Sequence, residues 1–425
     1  MRRLILACLL TIPLIVTATW VFAAEKKGSV DKPTTTPSQA RENEDFTQGV
    51  SLWAKGDFDA AIASLSKAIQ KEPDKPRLRV TRGFVYYDTG DVDSAIADFT
   101  TVLRDDPNNT QALRGRARAN FEKGESDTAL ADAEHEVNIH PEDAEALAIE
   151  GMVFYDRDRY KEALDALNRS IQFNPKNLTA LLTRGQVHYE RDEIEEAIAD
   201  FNAVLKLDER NSEALRYRGR AYYEQDDLEK ALADLNKAIM LNPNDAEALV
   251  ARGIVYYEQD DLDKAMADYN HAVQLDPENA EALENRAVAY ADKKELDKAL
   301  ADCNAAIGLD SQSNGAYACR ARVHLAKGQL EEALADCNEW IHRDAKDAEA
   351  FYVRGSVYAS QKKWHRAIAD YSEAIRLDDQ YADAYSHRAT AYAKIGETGK
   401  SEADRRKAKE LESKLNEAQD GGGMM

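Results

Sequence analysis

The sequence is poor in cysteine and histidine, which many catalytic and metal-binding sites use. Its 425 residues include four cysteines and eight histidines, and no pair of histidines shares metal-ligand spacing with a carboxylate. No glycine-rich phosphate loop follows a strand, because no segment reads as a strand. The cluster of Asp88, Asp91 and Asp93 lacks the glycine and terminal glutamate of a calcium loop, and helix capping explains it better. We therefore predict no enzymatic activity, no catalytic residues, no metal and no cofactor.

Positive charge is also scarce. Lysine and arginine number 56 against 78 aspartates and glutamates, which gives a formal net charge of −22 at pH 7. A chain this acidic repels the phosphates of nucleic acids and the anionic headgroups of a membrane surface. We therefore expect no nucleic-acid binding and no peripheral membrane binding by charge. Protein or peptide partners with neutral or basic segments are favoured.

A long apolar run occurs at the start of the chain. Arg2 and Arg3 precede the apolar residues 4–21, and Val21-Phe22-Ala23 places small residues where a signal peptidase cleaves. We predict a signal peptide over 1–23 with cleavage before Ala24, and hence an exported protein, periplasmic or extracellular. The alternative is an uncleaved N-terminal anchor, because the run is just long enough to cross a thin bilayer.

Two segments lack apolar periodicity. Residues 24–41 are rich in lysine, proline, threonine and serine, which predicts a flexible tether. Glycines occupy 421–423 near the other end, and we predict a disordered tail over 416–425.

Between these segments the sequence repeats every 34 residues, eleven times, without an insertion or deletion. The repeats start at 42, 76, 110, 144, 178, 212, 246, 280, 314, 348 and 382. Position 8 of each repeat is always glycine or alanine, and position 20 is alanine except for Ser401 in the last repeat. Residues this small at regular spacing predict that two helices of each repeat touch there.

Larger residues recur at other positions of the repeat. Position 11 is aromatic in seven repeats, position 24 is a large apolar residue in seven, and position 32 is proline in six, where it ends the second helix. This order of small, aromatic, small, large apolar and proline residues within 34 residues resembles the tetratricopeptide repeat, over about 42–415. The resemblance implies an all-α fold, a right-handed superhelical solenoid of helix-turn-helix repeats in which each repeat contacts its neighbours.

Three cysteines lie within the repeats. Cys303 and Cys337 occupy position 24 of successive repeats, and Cys319 lies between them. All three fit buried apolar positions as free thiols. A disulfide from Cys319 to either of the other two is the alternative in an oxidising compartment.

Arginine at position 7 and aspartate at position 23 occur together. Nine repeats have both, whereas the two repeats with Gln48 or Glu150 at position 7 also lack the aspartate. We predict a structural ion pair between the two helices of each of the nine repeats, not an anion-binding track. The pairs are Arg82 with Asp98, Arg116 with Asp132, Arg184 with Asp200, Arg218 with Asp234, Arg252 with Asp268, Arg286 with Asp302, Arg320 with Asp336, Arg354 with Asp370 and Arg388 with Asp404.

The resemblance implies that partners bind on an inner surface lined by the first helices. Positions 5, 9 and 12 lie three or four residues apart and form one stripe along each first helix. Position 12 is aromatic in the first seven repeats, and an acidic column at position 13 runs beside it. The predicted binding residues are Phe84, Tyr87, Arg114, Arg118, Phe121, Met152, Tyr155, Tyr189, Arg216, Arg220, Tyr223, Ile254 and Tyr257.

Two interpretations of the aromatic column remain open. The rings pack repeat on repeat with only an edge exposed, or they form a trough in which rings supply contact area and flanking charges set the register of a bound chain. These interpretations are compatible with each other. The column ends at Ala291, which makes the first seven repeats chemically richer than the rest.

The sequence therefore predicts an exported, non-enzymatic scaffold that binds protein or peptide partners in its groove. One alternative is a component of a surface polysaccharide or secretion apparatus, in which aromatics and carboxylates contact glycan. Another is an architectural rod or oligomer whose groove is filled by its own tether or by a neighbouring molecule.

Overall fold

The computed structural model describes residues 43–421, and the side chains of 43–414. The predicted signal peptide and tether lie outside these residues. The described chain forms twenty-two helices and no strand. They are α1 (Glu44–Trp53), α2 (Phe58–Lys71), α3 (Pro76–Asp88), α4 (Val92–Asp105), α5 (Thr110–Glu122), α6 (Ser126–Ile139), α7 (Ala144–Asp156), α8 (Tyr160–Phe173), α9 (Leu178–Glu190), α10 (Ile194–Leu207), α11 (Ser212–Glu224), α12 (Leu228–Leu241), α13 (Ala246–Glu258), α14 (Leu262–Leu275), α15 (Ala280–Asp292), α16 (Leu296–Leu309), α17 (Asn314–Ala326), α18 (Leu330–Arg343), α19 (Ala348–Ser360), α20 (Trp364–Leu377), α21 (Ala382–Lys394) and α22 (Thr398–Gly421).

The helices follow the 34-residue period, and the fold is an all-α helical repeat solenoid. From the second repeat on, the first helix spans positions 1–13 and the second begins at position 17. The last helix extends to Gly421, so residues 416–421, predicted as part of a disordered tail, are helical here. The reason is composition, since alanine, glutamate and glutamine continue to favour a helix up to the run of glycines.

The described residues divide into two compact units, 43–230 and 231–421. Within each unit, the first helix of a repeat packs on the second helix of that repeat and on the second helix of the preceding one. First helices of successive repeats also contact each other, as α3 and α5 do in the first unit and α15 and α17 do in the second. Each unit therefore presents a row of adjacent first helices.

Helix ends are set by local chemistry. The side chain at position 34 caps the next first helix in eight repeats, as when Asn211 Oδ1 accepts from the backbone N–H of Ala214 at 2.8 Å, but Lys75 and Tyr381 make no such bond. Position 15 has a positive φ in all eleven repeats, and five of these residues are glycine. The other six have φ between 56° and 64°, a left-handed conformation that costs a side-chain-bearing residue free energy. They are Asp158, Asp192, Asp226, Asp260, Lys294 and Lys362.

The small residue at position 8 contacts position 24 of the same repeat. A Cβ added to Gly253 would lie 2.5 Å from Cε1 of Tyr269, and one added to Gly83 would lie 2.8 Å from Cε1 of Phe99. Three of the four repeats with alanine at position 8 have a smaller residue opposite it: Ala117 with Ala133, Ala287 with Cys303, and Ala321 with Cys337. The two positions therefore share a fixed volume between the helices.

The structure joins Cys303 and Cys319 in a disulfide, with Cα atoms 6.3 Å apart. This is one of the two pairings that the sequence leaves open, and it links α16 of one repeat to α17 of the next. Cys337 is a free, fully buried thiol, and burial raises its pKa to about 12.

Candidate partner-binding surface

The arginines at position 7 and the aspartates at position 23 form two-point ion pairs between the helices of a repeat. Arg252 Nε donates to Asp268 Oδ2 at 2.8 Å, and Arg252 Nη2 donates to Asp268 Oδ1 at 2.7 Å. The hydrogen bond to this carboxylate raises the pKa of Arg252. Arg218 lies in the first unit and Asp234 in the second, and their pairing stays a prediction. The same two-point geometry joins Arg82 to Asp98, Arg116 to Asp132, Arg184 to Asp200, Arg286 to Asp302, Arg320 to Asp336, Arg354 to Asp370 and Arg388 to Asp404.

The same arginines also bind the preceding repeat. Arg252 Nη1 donates to Asn236 Oδ1 at 2.8 Å. Each position-7 arginine likewise donates to the side chain at position 25 of the preceding repeat, 16 residues earlier. The sequence carries a signal for this contact that the prediction of a pair within one repeat missed. Position 25 is asparagine in six repeats, but it is Glu134 in the repeat that precedes Glu150. The arginines therefore stabilise the stacking of repeats as well as each helix pair.

The predicted binding stripe lies at the boundary between core and solvent. Of its thirteen residues, Tyr257 and Arg216 are buried, with 6% and 9% of their surface exposed. The other eleven are half-buried. Tyr87 and Tyr155 each pack against a hydrophobic core cluster, and Phe84 makes an edge-to-face contact with Phe99 at 5.1 Å between ring centroids. The rings thus serve the packing of the repeats and still present part of their surface.

The cationic part of the stripe is engaged within the protein. Arg114 forms an ion pair with Asp143, and Arg118 forms one with Glu145 at the start of the next first helix. The guanidinium of Arg220 lies 5.7 Å from the ring centroid of Tyr189. The sequence-based prediction was that these arginines set the register of a bound partner. It did not include these contacts within the protein. Arg118 is neutralised by an acid at position 2 of the next repeat, and Arg114 by an acid at position 34 of its own repeat.

Aromatic residues at position 12 donate hydrogen bonds to the carboxylates at position 13 of the next repeat. Trp53 Nε1 donates to Asp88 Oδ2 at 2.6 Å in the first unit, and Tyr257 donates to Asp292 Oδ2 at 2.6 Å in the second. Tyr87 is hydrogen-bonded to Glu122. We call these pairs, each 35 residues apart, the aromatic–carboxylate ladder. By this offset the rungs in the first unit are Trp53 with Asp88, Tyr87 with Glu122, Phe121 with Asp156, Tyr155 with Glu190, and Tyr189 with Glu224. The first two and the last are hydrogen-bonded, with 3.5 Å between Tyr189 Oη and Glu224 Oε1, whereas Glu190 acts on Tyr155 through its charge.

One rung shows how the pairing tolerates change. Phe121 has no hydroxyl to donate, and Asp156 instead accepts from Ser126 Oγ at 3.0 Å. The two columns also end together, because Ala291 at position 12 is followed 35 residues later by Ala326. The ladder is therefore visible in the sequence when position 12 of one repeat is compared with position 13 of the next, 35 residues later. A comparison of the two positions within one repeat does not reveal it.

Partial desolvation by neighbouring side chains sets the electrostatics of the ladder, although Asp88 and Glu224 keep part of their surface in solvent. It raises the pKa of Asp88, Glu122 and Glu224 above their ordinary values, while the aromatic donors of their rungs act in the opposite direction. Burial also raises the pKa of Tyr189, to about 12. The tyrosine therefore remains a neutral donor near pH 7, and the stripe carries alternating rings and carboxylates.

Two other kinds of feature are absent from residues 43–421, a metal-binding cluster and a membrane-spanning helix. No group of three or more histidine, cysteine, aspartate or glutamate side chains in that range is arranged to hold a metal ion. Nor is any helix in the described part of the chain both long and apolar enough to span a bilayer.

Family models describe the same repeat. A model of the TPR repeat matches residues 185–226, 219–260, 255–294 and 355–396. Three models of the tetratricopeptide repeat match 52–112, 127–177 and 280–313. Together these segments leave gaps at 113–126, 178–184 and 314–354 between the first and last matched residues. No curated protein matches the sequence.

Solved structures resemble the chain in fold. The Cut9–Hcn1 hetero-tetramer of the APC/C matches with 14% identity over 88% of each chain and a TM-score of 0.52. A tetratricopeptide repeat protein from Parabacteroides merdae has 24% identity over 58% of this chain and 97% of its own, with a TM-score of 0.46. Yeast Tom70 has 15% identity over 89% of this chain and 94% of its own, with a TM-score of 0.41.

Proposed function

The chain belongs to the tetratricopeptide repeat family, and on this premise we propose that it is a non-enzymatic scaffold that binds protein partners along its first helices. The observation that carries the proposal is the aromatic–carboxylate ladder. Half-buried rings that already have a fixed position offer contact area at low entropic cost, and the carboxylates beside them offer hydrogen-bond acceptors. A surface of this composition matches protein interfaces, which are rich in tyrosine and tryptophan.

We further propose that the scaffold works outside the cytoplasm. Support comes from the two arginines, the apolar run over 4–21 and the small residues before Ala24. Fractionation of the source cells, with mass determination of the recovered protein, tests this proposal. A chain beginning at Ala24 in the periplasmic or extracellular fraction is expected. A membrane-bound chain that keeps residues 1–23 would support the anchor instead.

The binding proposal is tested by affinity capture from the native compartment. The bait is the full chain, compared with a variant in which Tyr155 and Tyr189 are both changed to leucine, which keeps apolar bulk in the packing. Tyr222→Leu is the matched control, because it makes the same change in the same unit at position 11 rather than position 12. Circular dichroism checks that all three proteins remain helical.

The expected result is a protein partner that the wild type and Tyr222→Leu retain and the double variant loses. Equal capture by all three baits would contradict a role for the ladder. Binding to a glycan array without any crosslinked protein would favour the polysaccharide alternative. An oligomer that persists without residues 24–41 and captures nothing would favour the architectural one.

A further inference from the structure

We propose that the junction between the eighth and ninth repeats is a redox-controlled joint. Cys303 of α16 and Cys319 of α17 form a disulfide across this junction, with Cα atoms 6.3 Å apart. The disulfide holds α17 on the eighth repeat, and its reduction lets α17 separate when the buried carboxylate of Glu284 is ionised. Such a joint acts on the continuity of the solenoid and does not depend on the identity of a partner.

The disulfide replaces a packing contact that joins other repeats. Position 24 of one repeat meets position 6 of the next, as when the rings of Phe201 and Tyr217 stack with 5.7 Å between centroids. The rings of Tyr371 and His387, at the same two positions, lie 5.9 Å apart. The two bonded cysteines also occupy positions 24 and 6 of successive repeats. A covalent bond therefore lies where these other junctions have a contact between rings.

Glu284 makes a second contact across the same junction. It lies on α15 and is fully buried, and its Oε1 accepts a hydrogen bond at 2.6 Å from Oγ of Ser313, the residue that caps α17. Its Oε2 has no hydrogen-bond partner among the described residues. An ionised carboxylate with one hydrogen bond is poorly solvated inside the protein, whereas water solvates it once the junction opens. Ionisation of Glu284 therefore favours the open junction.

The charged groups that act on Glu284 have the same sign as its carboxylate. Burial raises its pKa to about 7, and Glu281 of α15 and Asp310, in the turn before α17, act in the same direction, while the Ser313 hydrogen bond opposes them. The helices packed on α15 meet the two residues before Glu284 with apolar side chains: Val250 of α13, Ala272 of α14, Ala306 of α16 and Ala316 of α17. At pH 8 the carboxylate is therefore mostly ionised and faces negative neighbours.

The disulfide opposes opening because it restricts the open state. Its two cysteines are 16 residues apart, and a cross-link over a loop of this length reduces the opening equilibrium about a hundredfold by lowering the entropy of the detached segment. A dithiol reductant removes this restriction. Two electrons and two protons pass to the sulfurs of Cys303 and Cys319 as their bond breaks, and the reductant closes a disulfide of its own. Oxidising surroundings thus close the joint and reducing surroundings loosen it.

Opening of the joint changes the row of first helices in the second unit. α15 and α17 contact each other directly, and α17 also packs on α16. Both contacts are lost when α17 separates, while the helices of earlier repeats in this unit keep their own partners. The reduced protein therefore has a row that is interrupted between the eighth and ninth repeats.

Hydrogen exchange of the full chain at pH 8 tests the joint before and after reduction with dithiothreitol. We expect reduction to raise the opening equilibrium constant of amides in α17 about a hundredfold and to leave amides of α5, in the first unit, unchanged. Unchanged exchange in α17, or an equal rise in α5, would overturn the proposal. Alkylation in denaturant followed by mass determination checks the bond itself. Two fewer cysteines should react before reduction than after it, and equal numbers would also overturn the proposal.

Two cysteine variants distinguish the bond from the packing of the side chain. Cys303→Ala breaks the disulfide, and Cys337→Ala makes the same change at position 24 of the next repeat, where the thiol is free. We expect Cys303→Ala to open α17 as readily as the reduced wild type and to respond no further to dithiothreitol. Cys337→Ala should keep the full response of the wild type. A response that survives in Cys303→Ala, or disappears in Cys337→Ala, would refute the role of this bond.

Glu284→Gln isolates the contribution of the carboxylate. In the reduced protein at pH 8, we expect α17 of this variant to open about a hundredfold less than in the wild type, because the amide cannot ionise. Glu278→Gln, at an exposed position before α15, is the control and should behave like the wild type. Equal opening in Glu284→Gln and the wild type would overturn the assignment of the driving force to Glu284.

Discussion

Glu284 provides the sharpest test of the energetics of this fold. It occupies position 5 of the eighth repeat, and its side chain is fully buried. Ser313 Oγ donates to Glu284 Oε1 at 2.6 Å, while Glu284 Oε2 is buried without a hydrogen-bond partner among the described residues. Burial raises the pKa of Glu284 from 4.5 to about 7, with Glu281 and Asp310 acting in the same direction and the Ser313 hydrogen bond opposing them.

The sign of the pH dependence follows from this raised pKa. Between pH 4.5 and about 7 the folded state holds a proton on Glu284 that the unfolded state has released. The contribution of Glu284 to stability is therefore greatest below pH 4.5 and falls as the pH rises to about 7. The change in pKa corresponds to about 3 kcal/mol, at about 1.4 kcal/mol for each pH unit.

Glu284→Gln removes the titration and keeps the shape of the side chain. We expect the variant to gain about 3 kcal/mol of local stability over the wild type between pH 4.5 and pH 8. Hydrogen exchange of peptides from α15, measured across this pH range, reports the opening free energy of that repeat. Glu278→Gln, at an exposed position before α15, is the control and should follow the wild type. A difference between Glu284→Gln and the wild type that stays constant with pH would refute the reasoning.

Three further changes test other contacts, each by urea unfolding monitored with circular dichroism. Gly253→Ala should lower the free energy of unfolding by roughly 1–3 kcal/mol, because the new Cβ would lie 2.5 Å from Cε1 of Tyr269. Gly308→Ala is the control and should be neutral or stabilising, since nothing lies within 4 Å of its new Cβ. Equal effects of the two changes would contradict the steric explanation. Lys294→Gly should add about 1 kcal/mol by relieving a φ of 62°, and a loss of stability would argue against strain at that turn. Asp268→Ala should cost roughly 3 kcal/mol by leaving a partly buried guanidinium without its partner, and an unchanged unfolding midpoint would show the ion pair to be unimportant.

Much of the local structure could be predicted from the repeat. Eleven copies act as an internal comparison, so the small residues at positions 8 and 20 predict the helix contact, and the joint loss of arginine and aspartate predicts the ion pairs. Partners in other repeats were harder to find, because their offsets depend on how one repeat is placed on the next. The offset of 35 between Trp53 and Asp88 and the offset of −16 between Arg252 and Asn236 are both of this kind.

Two helices in each 34-residue repeat, and the small residues that close each pair, are already evident in the sequence, because both follow from side-chain volume and helical periodicity. The stacking of the repeats decides which acids of one repeat meet the cations and rings of another. Arg118 could serve a partner until its contact with Glu145 is seen, and Asp88 is one acid among many until Trp53 is found beside it. Stacking brings these residues together from different repeats, and a charge takes its role from the groups that surround it in space.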